Sequence, residues 1–167
     1  MKRNIFVAAL LLLFIGCTQQ QGDQLTQQQK DQIKSEVKAV GDSIVARVER
    51  LDGVGAATYY ADSPEWVMFG PDGARWDYKM FMKAQPEFDR SVTSWKWTTT
   101  GEDLIVITKD VVIAAWVGKD ETIMKSGDKM TCDPHAYTLV FKKIAGEWKV
   151  VYCHDSGIPV TQKAGKK

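Results

Sequence analysis

The segment YTLVFKKIAGEWKVVYCHDS, residues 137–156, indicates the fold more clearly than any other part of the chain. Two runs rich in β-branched and aromatic residues flank a glycine, a pattern typical of two antiparallel strands joined by a tight turn. Gly146 takes up a positive φ more readily than Ala145, which favours a three-residue turn with only the glycine in the left-handed region. That turn would place Ala136 opposite His154.

Strict alternation along the second strand of this hairpin assigns its side chains to two faces. The first face carries Trp148, Val150, Tyr152 and His154, and the second carries Lys149, Val151, Cys153 and Asp155. Both faces include apolar side chains, which predicts a sheet covered by helices on one side and by a partner sheet on the other. Alternation also excludes a nucleophilic triad in the string His154-Asp155-Ser156, because neighbouring residues on a strand point in opposite directions.

The first folded segment upstream has a helical pattern. Thr26 and Gln29 fit a capping box, which predicts a helix that begins near Gln27. Apolar residues then recur every three or four positions between Ile33 and Leu51, the stripe of one amphipathic helix of about 20 residues. Gly41 lies within that stripe and is a candidate point of close packing.

The middle of the chain changes from helical to strand patterns. A second main helix is expected at 79–88, with Pro86 ending or kinking it. From residue 91 onward, alternating segments separated by turn residues predict a meander of antiparallel strands. Helices first and strands afterwards indicate an α+β domain, with one curved sheet and helices against one of its faces.

The first 17 residues have the parts of a secretory signal: Lys2 and Arg3, an apolar run at 5–15, and a small residue before Cys17. The run is shorter than the roughly 20 residues that span a bilayer. The string FIGC at 14–17 resembles the bacterial lipobox, with Phe in place of the usual Leu, and the alternative is an ordinary cleaved signal. The resemblance implies lipidation of Cys17 and a place in the cell envelope. Thr18, rather than Asp, after the cysteine favours the periplasmic side of the outer membrane in a Gram-negative source.

The composition limits the classes of partner and divides the chain into segments. The chain has 22 basic and 21 acidic residues, a balance that argues against nucleic acid as a partner. Eight glutamines between Thr18 and Gln32 indicate a flexible tether. The segments expected are therefore a signal at 1–17, a Gln-rich tether at 18–30, a folded domain at 31–158 and a basic tail at 159–167.

Several strings in this domain resemble the nuclear transport factor 2-like superfamily, and within it the SnoaL-like group. They are Tyr59-Tyr60-Ala61-Asp62, the turn at 70–73 before the helix at 79–88, YTLVFKK at 137–143, GEWKV at 146–150 and the ending His154-Asp155-Ser156. The resemblance covers about residues 30–156. It implies a cone-shaped fold with helices on the concave face of the sheet, a pocket between them, and a homodimer through the outer face.

A ligand-binding domain is the leading functional hypothesis. The domain would bind a small apolar or aromatic molecule in its cone, or act as a dimeric envelope module, without being a demonstrable enzyme. The residues expected to contact the ligand are Tyr60, Trp97, Trp116, Tyr137 and His154. Two rivals remain: a pocket enzyme of cyclase or isomerase type, with His154 or an aspartate as general acid/base, and a structural module with a residual pocket.

The sequence also contains candidate acid/base residues, a candidate zinc set and a candidate disulfide. The candidate acid/base residues are Asp62, Asp77, Asp133, His135 and His154, with Asp62 and Asp77 favoured as turn or capping residues. A zinc site formed by Cys132, His135, Cys153 and His154 is disfavoured because Cys153 and His154 face opposite ways. No metal or cofactor is therefore expected. A Cys132–Cys153 disulfide stays open, since the hairpin register separates the two residues along the strands.

Overall fold

The computed structural model describes residues 24–165; the predicted signal, Cys17 and the first part of the tether lie outside the described residues. The elements are α1 (Gln27–Glu49), α2 (Gly53–Ala57), β1 (Val67–Phe69), β2 (Arg75–Asp77), α3 (Tyr78–Ser91), β3 (Val92–Thr108), β4 (Val111–Met124), β5 (Lys129–Ile144), β6 (Glu147–Gly157) and β7 (Val160–Gln162). None of the helices within 24–165 combines the length and apolar character needed to cross a membrane.

The seven strands form one sheet in the order β2-β1-β6-β5-β4-β3, and β7 pairs with the start of β5. All pairings are antiparallel except that of β1 with β6. The sheet is curved and unclosed, and α1 packs on its concave face. The predicted α+β architecture is therefore confirmed. Strand β7 falls within the segment 159–167, which had been assigned to a tail.

Helix α1 begins where the capping box predicts. The Thr26 hydroxyl accepts from the Gln29 backbone N–H at 3.2 Å, and the Gln29 side chain accepts from the Thr26 N–H at 2.8 Å. Gly41 is indeed a close packing point, because a Cβ built there would lie 2.5 Å from Cζ2 of Trp116. A larger residue at position 41 would push α1 away from β4.

Helix α3 differs from its prediction. It runs from Tyr78 to Ser91 and continues through Pro86, so the expected early end was wrong. The proline costs the helix one hydrogen bond and some steric strain. Phe81 and Phe88, on either side of it, both face the interior. Burial of this apolar face stabilises the helix across the proline, since tertiary packing outweighs local propensity.

The turn between β5 and β6 also differs from its prediction. Ala145 has φ 50° and Gly146 has φ 87°, and Ile144 pairs with Glu147. These values define a two-residue turn of the primed type. Thr138, and not Ala136, therefore lies opposite His154. The alanine accepts positive φ here because the primed turn matches the twist of the two long strands it joins.

A β-bulge in β6 changes which residues face inward. Val140 pairs with Tyr152 and Phe141 with Val150, so Val151 has no partner on β5. Beyond this extra residue the alternation is reversed. The buried face consequently carries Trp148, Val150 and Cys153, followed by the partly buried Asp155. The face assignment made from strict alternation was wrong beyond Val151, because a single inserted residue reverses the direction of every later side chain.

Candidate functional site

A cavity of about 390 Å³ lies between the concave face of the sheet and the helices. Helix α1 contributes Ile44, Val45 and Val48 to its wall, and α3 contributes Phe81, Ala84 and Phe88. The walls are mostly apolar and aromatic, and a small group of polar residues lies on the strand side. A concave site of this volume and lining is typical of small-molecule sites.

The structure brings together four of the five residues that the sequence suggested as ligand contacts. Tyr60, Trp97, Trp116 and Tyr137 all line the cavity, and the rings of Trp97 and Tyr137 lie 5.5 Å apart between centroids. Contact of these four with a ligand remains a prediction. His154 does not join them: it is exposed on the other face of the sheet, with the ring of Phe69 6.2 Å away. The bulge at Val151 is the reason for its outward orientation.

The polar group in the wall is built around His135. Its Nδ1 forms a hydrogen bond with Oδ2 of Asp120, and its Nε2 forms one with Oδ1 of Asp155. His135 and Asp120 are each only 6% exposed. Two carboxylates that both accept from the same ring require a proton on each nitrogen, so His135 is an imidazolium in this arrangement. Its charge partly neutralises two acidic groups that would otherwise be buried without a cation.

The pKa values in this wall follow from burial and from the two carboxylates. Burial alone lowers the pKa of His135, but hydrogen bonds to Asp120 and Asp155 outweigh it and raise the pKa to about 9. Burial, followed by the charges of Asp155 and Asp120, raises the pKa of Tyr137 well above its ordinary value. Tyr137 lies against His135, with ring centroids 4.4 Å apart, and remains a neutral phenol that can donate a hydrogen bond.

Sequence reasoning included His135 among the acid/base candidates but missed Asp120 and Asp155. Strand β4 keeps its alternation past Val117 as far as Met124. Val112, Ala114 and Trp116 point inward, and the same alternation makes Asp120 point inward as well. That extension was a signal which could have found Asp120. Asp155 could not have been found without knowledge of the bulge.

The remaining acid/base candidates lie away from the cavity. Asp77 caps α3, accepting from the Met80 N–H at 2.8 Å, as its favoured capping role predicted. Asp62 and Asp133 are exposed. None of these three carboxylates lines the cavity, and the acid/base potential of the site rests with His135 and its two partners.

Two cysteines also line the cavity, and both are buried and free. Cys132 pairs across the sheet with Asp120, whereas Cys153 pairs with Leu139. Burial is the main cause that raises the pKa of each thiol. Asp120, Cys132 and His135 could hold a metal ion, since one donor atom from each lies within 4.8 Å of the others. This set differs from the four-residue set considered from the sequence, which would have required the outward-facing His154.

Comparison with known proteins agrees with this architecture. A family model described as a SnoaL-like domain matches residues 37–161. No curated protein matches the chain.

Several solved structures share the fold at low sequence identity. A candidate scytalone dehydratase from Novosphingobium aromaticivorans has a TM-score of 0.73 at 6% identity, over 85% of this chain and 94% of that one. A nuclear transport factor 2-like superfamily protein from Salmonella enterica serovar Typhimurium has a TM-score of 0.67 at 14% identity, over 76% and 92%. A hexachlorocyclohexane dehydrochlorinase has a TM-score of 0.68 at 8% identity, over 84% and 94%. These likenesses establish the fold.

Proposed function

The chain belongs to the family of SnoaL-like domains, and on that premise we propose that its cavity binds a small molecule with an apolar or aromatic body. The observation that carries the proposal is the cavity itself, about 390 Å³ in volume and walled by both helices and strands. Tyr60, Trp97 and Tyr137 contribute aromatic rings to the wall against which such a body would pack. The group around His135 would then orient the polar end of the ligand.

A second feature of the wall supports a ligand that also carries a hydrogen-bond acceptor. Trp116 lines the cavity, and within the described part of the chain its indole N–H is buried without an acceptor. A buried donor without a partner costs free energy, which a ligand oxygen or nitrogen within reach would recover. An aromatic carbonyl compound or ether would satisfy both requirements.

Filling the cavity tests the proposal. Ala84 lines the cavity from α3, and an Ala84→Phe substitution would place a ring in the space that the ligand would occupy. We expect wild-type protein to bind N-phenyl-1-naphthylamine, a neutral aromatic dye whose fluorescence rises in apolar surroundings. The variant should bind it at least about tenfold more weakly, a loss of about 1.4 kcal/mol. Fluorescence titration measures both affinities.

The matched control is Ala39→Phe, which adds the same ring on the exposed side of α1. This variant should bind the dye as wild type does. Equal affinities for all three proteins would contradict the proposal, because the dye would then bind somewhere other than the cavity. Circular dichroism of each variant shows whether the fold is intact.

Acid/base catalysis is the second candidate function, and the Asp120–His135–Asp155 arrangement favours it. Two solved structures of the same fold carry the names of a candidate scytalone dehydratase and a hexachlorocyclohexane dehydrochlorinase, and both names denote elimination reactions. Both nitrogens of His135 are engaged, so the base would be the Asp155 oxygen that does not contact the ring. His135 would hold this carboxylate in place, and the substrate would lie against the aromatic wall.

Proton exchange provides an assay without a known substrate. Wild-type protein should accelerate exchange of the protons next to the carbonyl of small aromatic ketones in D₂O, followed by NMR. Asp155→Asn should reduce the rate by at least about 100-fold, the lower end of a general-base contribution. His154→Gln should leave it unchanged, because this histidine lies outside the cavity. Loss of exchange in the His154 variant, with Asp155→Asn fully active, would reverse the assignment.

A homodimer through the outer face of the sheet forms part of this proposal. Ile105, Ile113, Val140 and Tyr152 are successive cross-strand partners in one row on that face. Ile105 is 51% exposed in the single chain. An apolar row of this kind favours burial against a second copy of the sheet. Sedimentation equilibrium at micromolar concentration should give the mass of a dimer, and a monomer mass would contradict the proposal.

Membrane attachment through a lipid on Cys17 is also proposed, with the domain held at the cell envelope by the Gln-rich tether. It is supported by the apolar run and the FIGC string in the sequence. Radioactive palmitate fed to expressing cells should label the wild-type protein and not a Cys17→Ser variant. Equal labelling of the two proteins would exclude this cysteine as the site.

A further inference from the structure

Three different donor atoms meet in the cavity wall, from Asp120, Cys132 and His135. The carboxylate oxygen, the sulfur and the ring nitrogen all lie within 4.8 Å of one another, and each residue is buried. Zinc–ligand distances of about 2.0–2.3 Å place tetrahedral donors roughly 3.3–3.7 Å apart, so side-chain shifts of about 1 Å would bring all three onto one ion. We propose that these residues form a transition-metal site, with Zn²⁺ as the bound ion.

The backbone is irregular at the place where these donors meet. Cys132 and His135 are three positions apart, and on a regular strand their side chains would point in opposite directions. The pairing shifts between Gly118 and Asp120: Asp120 pairs with Cys132, while Gly118 pairs with His135. This irregularity turns both side chains into the cavity. A local break in pairing next to a site is a common way to redirect a side chain.

Gly157 leaves space for the sulfur. It is the cross-strand partner of His135, on β6. A Cβ built at Gly157 would lie 2.4 Å from Sγ of Cys132, so a side chain at this position would displace the thiol. The thiol donates a weak hydrogen bond to the carbonyl oxygen of Pro134, with Sγ and the oxygen 3.8 Å apart. Its sulfur is therefore available to an ion.

Asp155 supplies the support that a metal-bound histidine requires. It lies at Nε2 of His135, on the opposite side of the ring from Asp120. Ligating histidines almost always donate their second ring N–H to a carboxylate or carbonyl, which fixes the tautomer and the ring orientation. With Asp155 in that role, Nδ1 would release its proton to solvent and bind the ion in place of its hydrogen bond to Asp120.

The donor set indicates which ion is bound. A thiolate together with an imidazole suits zinc and its neighbours in the first transition series, whereas Mg²⁺ and Ca²⁺ prefer oxygen donors only. All three residues line the cavity, so an ion held by them would lie in its wall, next to the ligand space. Three protein donors with one open position are typical of catalytic zinc. The inference goes beyond the proposed ligand binding, which needs no metal.

Cobalt provides a direct test, because a Co²⁺–thiolate bond absorbs strongly in the near ultraviolet. All proteins would carry Cys17→Ser, so that Cys132 and Cys153 are the only thiols. After treatment with EDTA, titration with Co²⁺ should produce the charge-transfer band with one equivalent, and Zn²⁺ should displace it. Cys132→Ser should abolish the band. Cys153→Ser, the matched control in the same cavity, should retain it. Asp155→Asn should weaken Co²⁺ affinity by about 10- to 100-fold.

The inference is overturned if the parent protein gives no band at one equivalent of Co²⁺. It is also overturned if Cys132→Ser keeps the band, or if Cys153→Ser loses it. The parent and Cys153→Ser proteins decide the question even if Cys132→Ser does not fold. Dye binding by the metal-free protein remains a separate measurement, so failure here leaves the proposed ligand binding intact.

Discussion

His135→Leu should lower the free energy of unfolding by about 3–5 kcal/mol, the usual cost of removing one partner from a buried charge pair. In the native protein the imidazolium lies between the carboxylates of Asp120 and Asp155. The substitution leaves two acidic groups close together in the cavity wall without the cation between them. Urea denaturation at pH 7 in EDTA measures the loss, and the melting temperature should fall by roughly 10 °C.

Two further variants separate this electrostatic cost from simple loss of packing. His154→Leu makes the same change at the exposed histidine, and its stability should stay within about 0.5 kcal/mol of wild type. Adding Asp120→Asn and Asp155→Asn to His135→Leu removes both charges and should recover at least half of the loss. If the triple variant is no more stable than His135→Leu, the histidine contributes through packing and the prediction is wrong.

The fold was predictable because its signals are local and regular. The capping box and apolar stripe of α1 set both its start and its inward face. Long alternating segments identified the strands, and their order after the helices gave the α+β class. Even the packing role of Gly41 followed from its place in the stripe, although its partner Trp116 could not be named without the sheet register.

The site was less predictable because its geometry depends on departures from regularity. One extra residue at Val151 reverses the phase of β6, which moves Asp155 inward and His154 outward. The pairing shift near Gly118 turns the side chains of Cys132 and His135, three positions apart, to the same face of β5. Period-two reasoning assigns every later residue to the wrong face once such a residue is missed. His135 and Cys132 were therefore recognised as candidates, whereas Asp120, Asp155 and the grouping of the four residues were missed.

The second large effect is expected at Gly118, which lies between Thr99 and His135 across the sheet. A Cβ built there would lie 2.4 Å from the carbonyl oxygen of Thr98 and 2.6 Å from Cζ2 of Trp97. The carbonyl belongs to the paired backbone of β3 and cannot rotate away. Gly118→Ala should therefore cost about 3 kcal/mol, the upper end of the usual range for overpacking.

Gly101→Ala is the matched control, because among the described residues a Cβ there meets only Cβ of Val117, at the ordinary distance of 3.9 Å. Its stability should change by less than about 1 kcal/mol. Urea denaturation of the two variants compares them directly. Equal losses would mean that the strands can separate slightly at Gly118 and absorb the methyl group.

Gly118→Ala should also change the cavity wall, because the indole of Trp97 packs directly against this glycine. That ring is held by a 2.8 Å hydrogen bond from its Nε1 to the Thr99 hydroxyl, and its centroid lies 6.0 Å from that of His135. A methyl group at position 118 would push the indole toward the ligand space. Dye affinity should consequently fall together with stability in Gly118→Ala, while Gly101→Ala keeps both. Loss of stability with unchanged dye binding would show that Trp97 lines the cavity without shaping it.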